Sequence, residues 1–266
     1  MLRILKKVHE ICTANNLTYF LSDGTLLGAV RHGGFIPWDD DLDIVMPRED
    51  YRRFTLIAQK ELGDDFFLQT TKTDPDYKSW FIPMKVRDNN STYIEKYGRS
   101  YHQGVYIDVF PIDIFTGKKQ LKRKKIISLL SIIKGPIATF KPASVHYWAR
   151  LLFQCLLRFI PNKLIIRYIK KAQRENDEIV KNNPDLKDYV YGFETPWSIR
   201  LNHEEIYPLK LVKFENLEAF APNDTHSLLK KQYGDYMQIP PESERGVHLT
   251  YFSNERLFSL PIRRED

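Results

Sequence analysis

Cysteine is nearly absent from this chain of 266 residues: there are two, Cys12 and Cys155, far apart and in no CxxC or Cys/His cluster. That scarcity excludes a disulfide framework and a cysteine-ligated zinc site, and it fits a reducing compartment. Long apolar runs are missing too. A bilayer span needs about 20 apolar residues, and the longest stretches here, 126–133 and 151–157, are far shorter. The opening MLRILKKVHEICTANN spaces Leu2, Leu5, Val8 and Cys12 as an amphipathic helix and lacks the apolar centre of a signal peptide. A third shortage is local, because residues 114–174 hold fifteen Lys or Arg and no Asp or Glu. The remaining 205 residues carry 25 basic and 34 acidic side chains, so a formal charge of +6 conceals a block of +15 and a remainder of −9. With 42% hydrophobic residues the chain can bury a sizeable core. A soluble or membrane-surface protein on the cytoplasmic side is expected.

The pattern along the chain predicts an α+β fold with a mixed sheet. LTYFLS (17–22) reads as a strand, and a turn at Asp23 and Gly24 leads into a short helix, 25–32, ended by Gly33, Gly34 and Pro37. DLDIVM (41–46) alternates acidic and apolar residues as a half-buried strand does, and a helix follows from Pro47 through Leu62. Further strands are expected at 66–70, 80–87 and 104–110. From 118 to about 183 the pattern is helical, with breaks at Gly135, Pro136, Pro142 and Pro161. Over 163–174 a turn of about 100° per residue gathers Leu164, Ile165, Tyr168 and Ile169 on one face and Lys163, Arg167, Lys170, Lys171 and Arg174 opposite. The tail holds one expected helix, 223–233, ending at Gly234.

The chemistry concentrates in GTLLGAVRHGGFIPWDDDLDI, 24–44. Alternation puts Asp41 and Asp43 on one strand face, and two carboxylates so close repel unless a cation lies between them. Hard oxygen ligands suit Mg²⁺ or Mn²⁺, which keep open positions for substrate phosphates. VYIDVF places Asp108 in a similar setting, and the three carboxylates converge if the two strands are neighbours. A solvated acidic loop is the plain alternative. The metal-phosphate reading gains from Gly24 and the helix start behind it, whose N–H groups and dipole favour an anion. Arg31 and His32 add positive or hydrogen-bonding groups nearby.

The run GTLLGAVRHGGFIPWDDDLDIVMPREDYRRF closely resembles the signature of LicD-type phosphotransferases, relatives of the fukutin proteins within the nucleotidyltransferase superfamily. The resemblance continues through KVRDNNSTYIE (85–95), GVYIDVFPID (104–113) and YGDYMQIPPESER (233–245). It implies a nucleotidyltransferase-like mixed β-sheet flanked by helices, with Asp41 and Asp43 as metal ligands, Asp108 as the third carboxylate and Asp39 as a further ligand. Gly24 and Thr25 match the family's turn, and residues 33–38 lengthen the usual gap before the acidic pair. Asp40 is left as a solvated or supporting carboxylate. The implied domains are a catalytic core at 1–113, a basic helical insertion at 114–183 and a C-terminal segment at 184–266 that packs back on the core.

The same resemblance implies transfer of phosphocholine from CDP-choline to a hydroxyl of a cell-surface glycan precursor such as a teichoic acid, lipopolysaccharide or capsule, with Mg²⁺ or Mn²⁺ as cofactor. Phosphoethanolamine, glycerol phosphate, ribitol phosphate or a sugar phosphate is the rival cargo, and a non-catalytic assembly scaffold is the rival outside enzymology. Asp108 is the choice for the acceptor's base. Lys85 and Arg87 share a strand face, where they hold the diphosphate or form a charged edge facing water. Arg245 is a second phosphate candidate. A choline headgroup needs an aromatic wall, for which Trp38, Tyr93, Tyr101 and Tyr106 are available. The basic block suits an anionic membrane at the cytoplasmic face or an anionic, lipid-linked acceptor; its helix has the amphipathic form of an interfacial helix and could equally bury its apolar face in the core. No recognised motif supports nucleic acid as a partner.

Overall fold

The computed structural model describes residues 1–77, 82–95, 101–134, 148–149, 151–152, 155, 159–245 and 249–258. The breaks expected at Gly135, Pro136 and Pro142, and the start of the strand expected at 80–87, lie outside them. Two compact units divide the chain: 1–112 together with 201–266, and 113–200.

In the first unit α1 (Leu2–Ala14) buries Ile4, Leu5, Val8, Ile11 and Cys12, the stripe that its spacing predicts. Burial pushes the Cys12 thiol up to about 12, which removes it as a nucleophile. Five strands of a seven-stranded mixed sheet lie in the order β1 (Phe20–Leu21), β2 (Asp43–Pro47), β6 (Tyr106–Ile114), β4 (Met84–Asp88), β3 (Phe66–Thr70). The β2–β6 pair is parallel and the other three are antiparallel. Helices α2 (Asp23–His32) and α3 (Arg48–Glu61) flank this α+β sheet. One face of the strands carries Ile44, Val109, Met84, Val86, Ile107 and Leu68 into the main core.

Smaller pairs support the loops around the sheet. β5 (Thr92–Glu95) pairs with β11 (Leu249–Ser253), and β9 (Lys210–Phe214) with β10 (Leu217–Ala221). The β9–β10 turn grips the loop after α2: Glu215 N–H donates to the Gly33 carbonyl, and Glu215 Oε1 accepts the Phe35 N–H at 2.9 Å. Gly33 closes α2 in the left-handed region, φ 73°, where a Cβ is strained.

The second unit is built on α4 (Lys118–Lys134) and α5 (Asn162–Asn182), with β7 (Tyr189–Tyr191) and β8 (Arg200–Leu201) at its end. Thr116 Oγ1 donates to Asn176 Oδ1 at 2.6 Å, and Glu175 takes Lys119 and Arg123. Lys124 is fully buried and its charge is met by the Gly192 and Thr195 carbonyls. The apolar face expected at 163–174 turns inward: Ile165 and Ile169 are buried and Tyr168 is half-buried. That face is therefore not available to lie in a membrane, which corrects the interfacial-helix expectation; Leu164 alone of its four residues is exposed. The remaining helices, α6 (His203–Ile206) and α7 (Thr225–Tyr233), belong to the first unit.

Candidate metal and phosphate site

β2 and β6 run side by side with Asp43 opposite Asp108, and Lys85 of β4 stands opposite Asp108 on its other flank. Partners in register project to the same sheet face, so a charged row crosses three strands. Backbone bonds fix its phase: Asp108 N–H donates to the Leu42 carbonyl at 2.8 Å and Ser22 N–H to the Asp43 carbonyl at 3.2 Å. Thr25, buried in the first turn of α2, accepts the Asp43 N–H through Oγ1 at 2.8 Å. Thr25 thereby ties helix to strand, and its lone pair is committed to the backbone.

The strand begins at Asp43, two residues later than its pattern predicts, so Asp41 and Leu42 lead into it. Asp39, Asp41 and Asp108 nevertheless lie near enough to Asp43 for each to act on its charge. Removal from water drives the Asp43 carboxyl well above the ordinary range, and Asp41, Asp23, Asp108 and Asp39 add to the rise in that order. The Tyr233 phenol, at the end of α7, senses the same group: withdrawal from water raises it first, then Asp23, Asp43, Asp39 and Asp41.

Asp23 is the member that pattern reading misses. It stands at φ 48° as the first residue of α2, which starts two residues earlier than expected. Its carboxylate takes Ser22 Oγ and, at 2.9 Å, the Gln232 side-chain amide. The available signal was an acidic residue before Gly-Thr at a helix start, since Asp tolerates the left-handed region. Gly24 consequently lies inside the helix and not in a preceding turn. A Cβ on Gly24 would sit 2.5 Å from Asp39 Oδ2, so the missing side chain is what admits that carboxylate to the helix N-terminus.

Beside the carboxylates stands a cationic group built on Trp38. The Arg245 guanidinium lies 4.2 Å from the Trp38 ring centre and the Arg31 guanidinium 6.0 Å, and the His32 ring meets Trp38 edge-on at 6.0 Å. Arg31 donates to the Tyr236 and Gln238 carbonyls, at 2.7 and 3.3 Å, and Arg245 to the Pro240 carbonyl at 3.1 Å. The Arg31 bonds tie the YGDYMQIPPESER segment to α2, and the Arg245 stack on Trp38 sets it against the loop that carries the aspartates.

Several expected roles are corrected by these contacts. β4 lies between β6 and β3, so Lys85 and Arg87 are not on an edge and do not face water. Arg87 is 0% exposed and donates to Gln69 Oε1 and to the Gly104 carbonyl, which assigns it to the sheet interior and not to a diphosphate. Lys85, 2% exposed, forms an ion pair with Asp108 at 2.8 Å over the Tyr106 ring. Three of the four aromatics expected around a choline headgroup are engaged elsewhere. Tyr93 is buried and donates to the Asp40 carboxylate at 2.8 Å, Tyr106 is buried beneath Lys85, and Tyr101 packs against Tyr77 and Arg87. Trp38 offers its face to Arg245, the cation already present. Asp40 is a tether: it accepts Tyr93 O–H and, at 2.6 Å, Leu249 N–H of β11.

As a donor set the aspartates are all hard oxygen, which fits Mg²⁺ or Mn²⁺ and not a soft metal. Among the described residues no three His, Cys, Asp or Glu side chains are already drawn together as a ligand set.

Residues 16–133 match the LicD/FKTN/FKRP nucleotidyltransferase domain. The chain is 29% identical to the lipopolysaccharide cholinephosphotransferase LicD of Haemophilus influenzae over 257 residues, 93% of this chain and 92% of that protein. Shorter matches join it to the ribitol 5-phosphate transferase FKRP, 40% over 53 residues in human (20% of this chain, 11% of that protein) and 28% over 85 residues in mouse (32% and 17%). The family's domain at 16–133 and a likeness to a LicD phosphotransferase along nearly the whole length of the chain support a LicD-type phosphotransferase.

Proposed function

We propose that the protein transfers phosphocholine from CDP-choline to a hydroxyl of a cell-surface glycan or lipid-linked glycan precursor, with Mg²⁺ or Mn²⁺ held by Asp39, Asp41, Asp43 and Asp108. The observation that carries this reading is the register of Asp43 with Asp108, together with the Arg31 and Arg245 guanidinium groups held on Trp38, the residue directly before Asp39. A bound divalent ion would supply charge neutralisation at the diphosphate. Arg31, His32 and Arg245 bind the donor's phosphate oxygens from the other side.

The acceptor oxygen attacks the distal phosphorus in line, its bond to the bridging oxygen breaks, and CMP leaves with that electron pair. The acceptor proton passes to a carboxylate of the cluster. Asp108 Oδ1 is committed to Lys85, so Asp41 or Asp43 is better placed than Asp108 to take it. Lys85 acts behind the row, holding Asp108 in position. Two cysteines with no disulfide, one buried and one exposed, fit work in the reducing cytoplasm. No helix among the described residues is long and apolar enough to cross a membrane.

Ribitol phosphate is the second reading, favoured by the two ribitol 5-phosphate transferase matches. Release of CMP in the presence of Mg²⁺ and a choline-free glycan acceptor, measured with CDP-choline, CDP-ribitol and CDP-glycerol, separates the readings. Preference for CDP-choline supports the first and preference for CDP-ribitol the second. No CMP from any of the three refutes both.

A further inference from the structure

We infer that the second unit docks on an anionic lipid surface through the outward sides of α4 and α5. This goes beyond the transfer reaction and does not depend on which donor is used. On α4 the exposed residues Lys118, Lys122, Lys125, Ile126 and Leu129 fall within about 100° of arc at 100° per residue. On the first half of α5 the exposed residues Lys163, Leu164, Arg167, Lys170, Lys171 and Arg174 fall within about 120° of arc, on the side away from buried Ile165, Ile169 and Ala172, and exposed Glu178 follows on that side only in the second half. Lys119 and Arg123 are turned to Glu175, so the outward stripes keep their own cations.

Apolar side chains of the same stretch of chain are exposed as well. Phe159 is 86% exposed, Leu152 61%, Trp148 59% and Leu129 58%, with Leu164 at 51% and Ile126 at 42%. All six lie within 114–174, where there is no Asp or Glu. Exposed aromatic and aliphatic residues mark an interaction surface, and the surrounding charge of one sign selects an anionic partner. A soluble polyanion satisfies only the charge. Headgroups above an apolar interior satisfy both, because Lys and Arg reach the headgroups while Trp, Phe and Leu enter the acyl boundary.

The test is co-sedimentation of the full chain with phosphatidylcholine vesicles containing 0 or 30% phosphatidylglycerol, at low and high NaCl. The expected result is binding at least about tenfold stronger to anionic vesicles, weakened by salt. Phe159→Ser/Leu164→Ser should lower that binding at least about fivefold with unchanged circular dichroism and unchanged transferase activity on a soluble acceptor. Lys163→Glu/Arg167→Glu should lower it further. Equal binding to neutral and anionic vesicles, no binding to either, or anionic binding unaffected by the serine variants would overturn the inference. So would duplex DNA binding as tight as the vesicle binding and insensitive to the serine pair.

Discussion

Lys85 Nζ lies 2.8 Å from Asp108 Oδ1 in the interior of the sheet, with both side chains almost fully buried. This pair places a cation behind the carboxylate cluster, one strand further from Asp43. Removing one partner of such a pair leaves a buried charge uncompensated, at a cost of about 3–5 kcal/mol. Lys85→Met should therefore lower urea stability by that order, and Lys85→Met/Asp108→Asn should recover most of it. An additive double variant would show that the two side chains do not interact.

Gly24→Ala tests the close approach of Asp39. The new Cβ would meet Asp39 Oδ2 at 2.5 Å, but that atom ends a side chain that can swing away. Stability should change by less than about 1 kcal/mol, because Ala is also the better helix former. Transfer should fall at least about tenfold as the carboxylate leaves the cluster. Full activity in a folded Gly24→Ala protein would remove Asp39 from the site.

Arg245→Ala should raise the KM for the nucleotide donor about tenfold or more, the scale of one charge-assisted hydrogen bond, with a smaller effect on kcat. Arg245→Lys should recover part of the loss, since it restores charge without the planar stack on Trp38. An unchanged KM in the alanine variant would place the diphosphate elsewhere.

His102 sets a pH dependence of stability. It is buried, its Nδ1 accepts the Gly104 N–H at 3.0 Å, its Nε2 pairs with Asn89 Oδ1 at 2.8 Å, and it stacks on Phe67. Burial, aided by Arg87 and Arg256, lowers its pKa to about 3. The unfolded chain binds a proton near pH 6.5 and the folded one does not until about 3, so the stabilisation is complete above 6.5 and is lost as pH falls through that window. His102→Gln should flatten this slope in urea titrations between pH 7 and 4. An identical slope in the variant would assign the acid lability to other groups.

The α+β class was legible because its signals are local. The stripe of α1, the breaking glycine after α2 and the helical period of 163–174 all lie within a few turns of chain. Strand neighbours were not. Lys85 and Arg87 read as surface residues because charge at spacing two is ordinary on an edge strand, and only the order β6–β4–β3 puts them inside. Asp23 and Tyr233 share the acidic cluster through packing of α7 on α2, a relation between residues some 210 positions apart that no local pattern carries. The role of Asp40 as a tether likewise depends on β11, far along the chain.

The Asp43–Asp108 register should make the carboxylate group a metal site. Mn²⁺ binding, followed by electron paramagnetic resonance with CDP-choline present, tests it in the wild type and in Asp43→Asn. Saturable Mn²⁺ binding by the wild type is expected, weakened at least about 100-fold in the variant, together with a higher melting temperature of the metal-free variant because one of several mutually repelling carboxyl groups is gone. Equal Mn²⁺ affinity in the two proteins would contradict it.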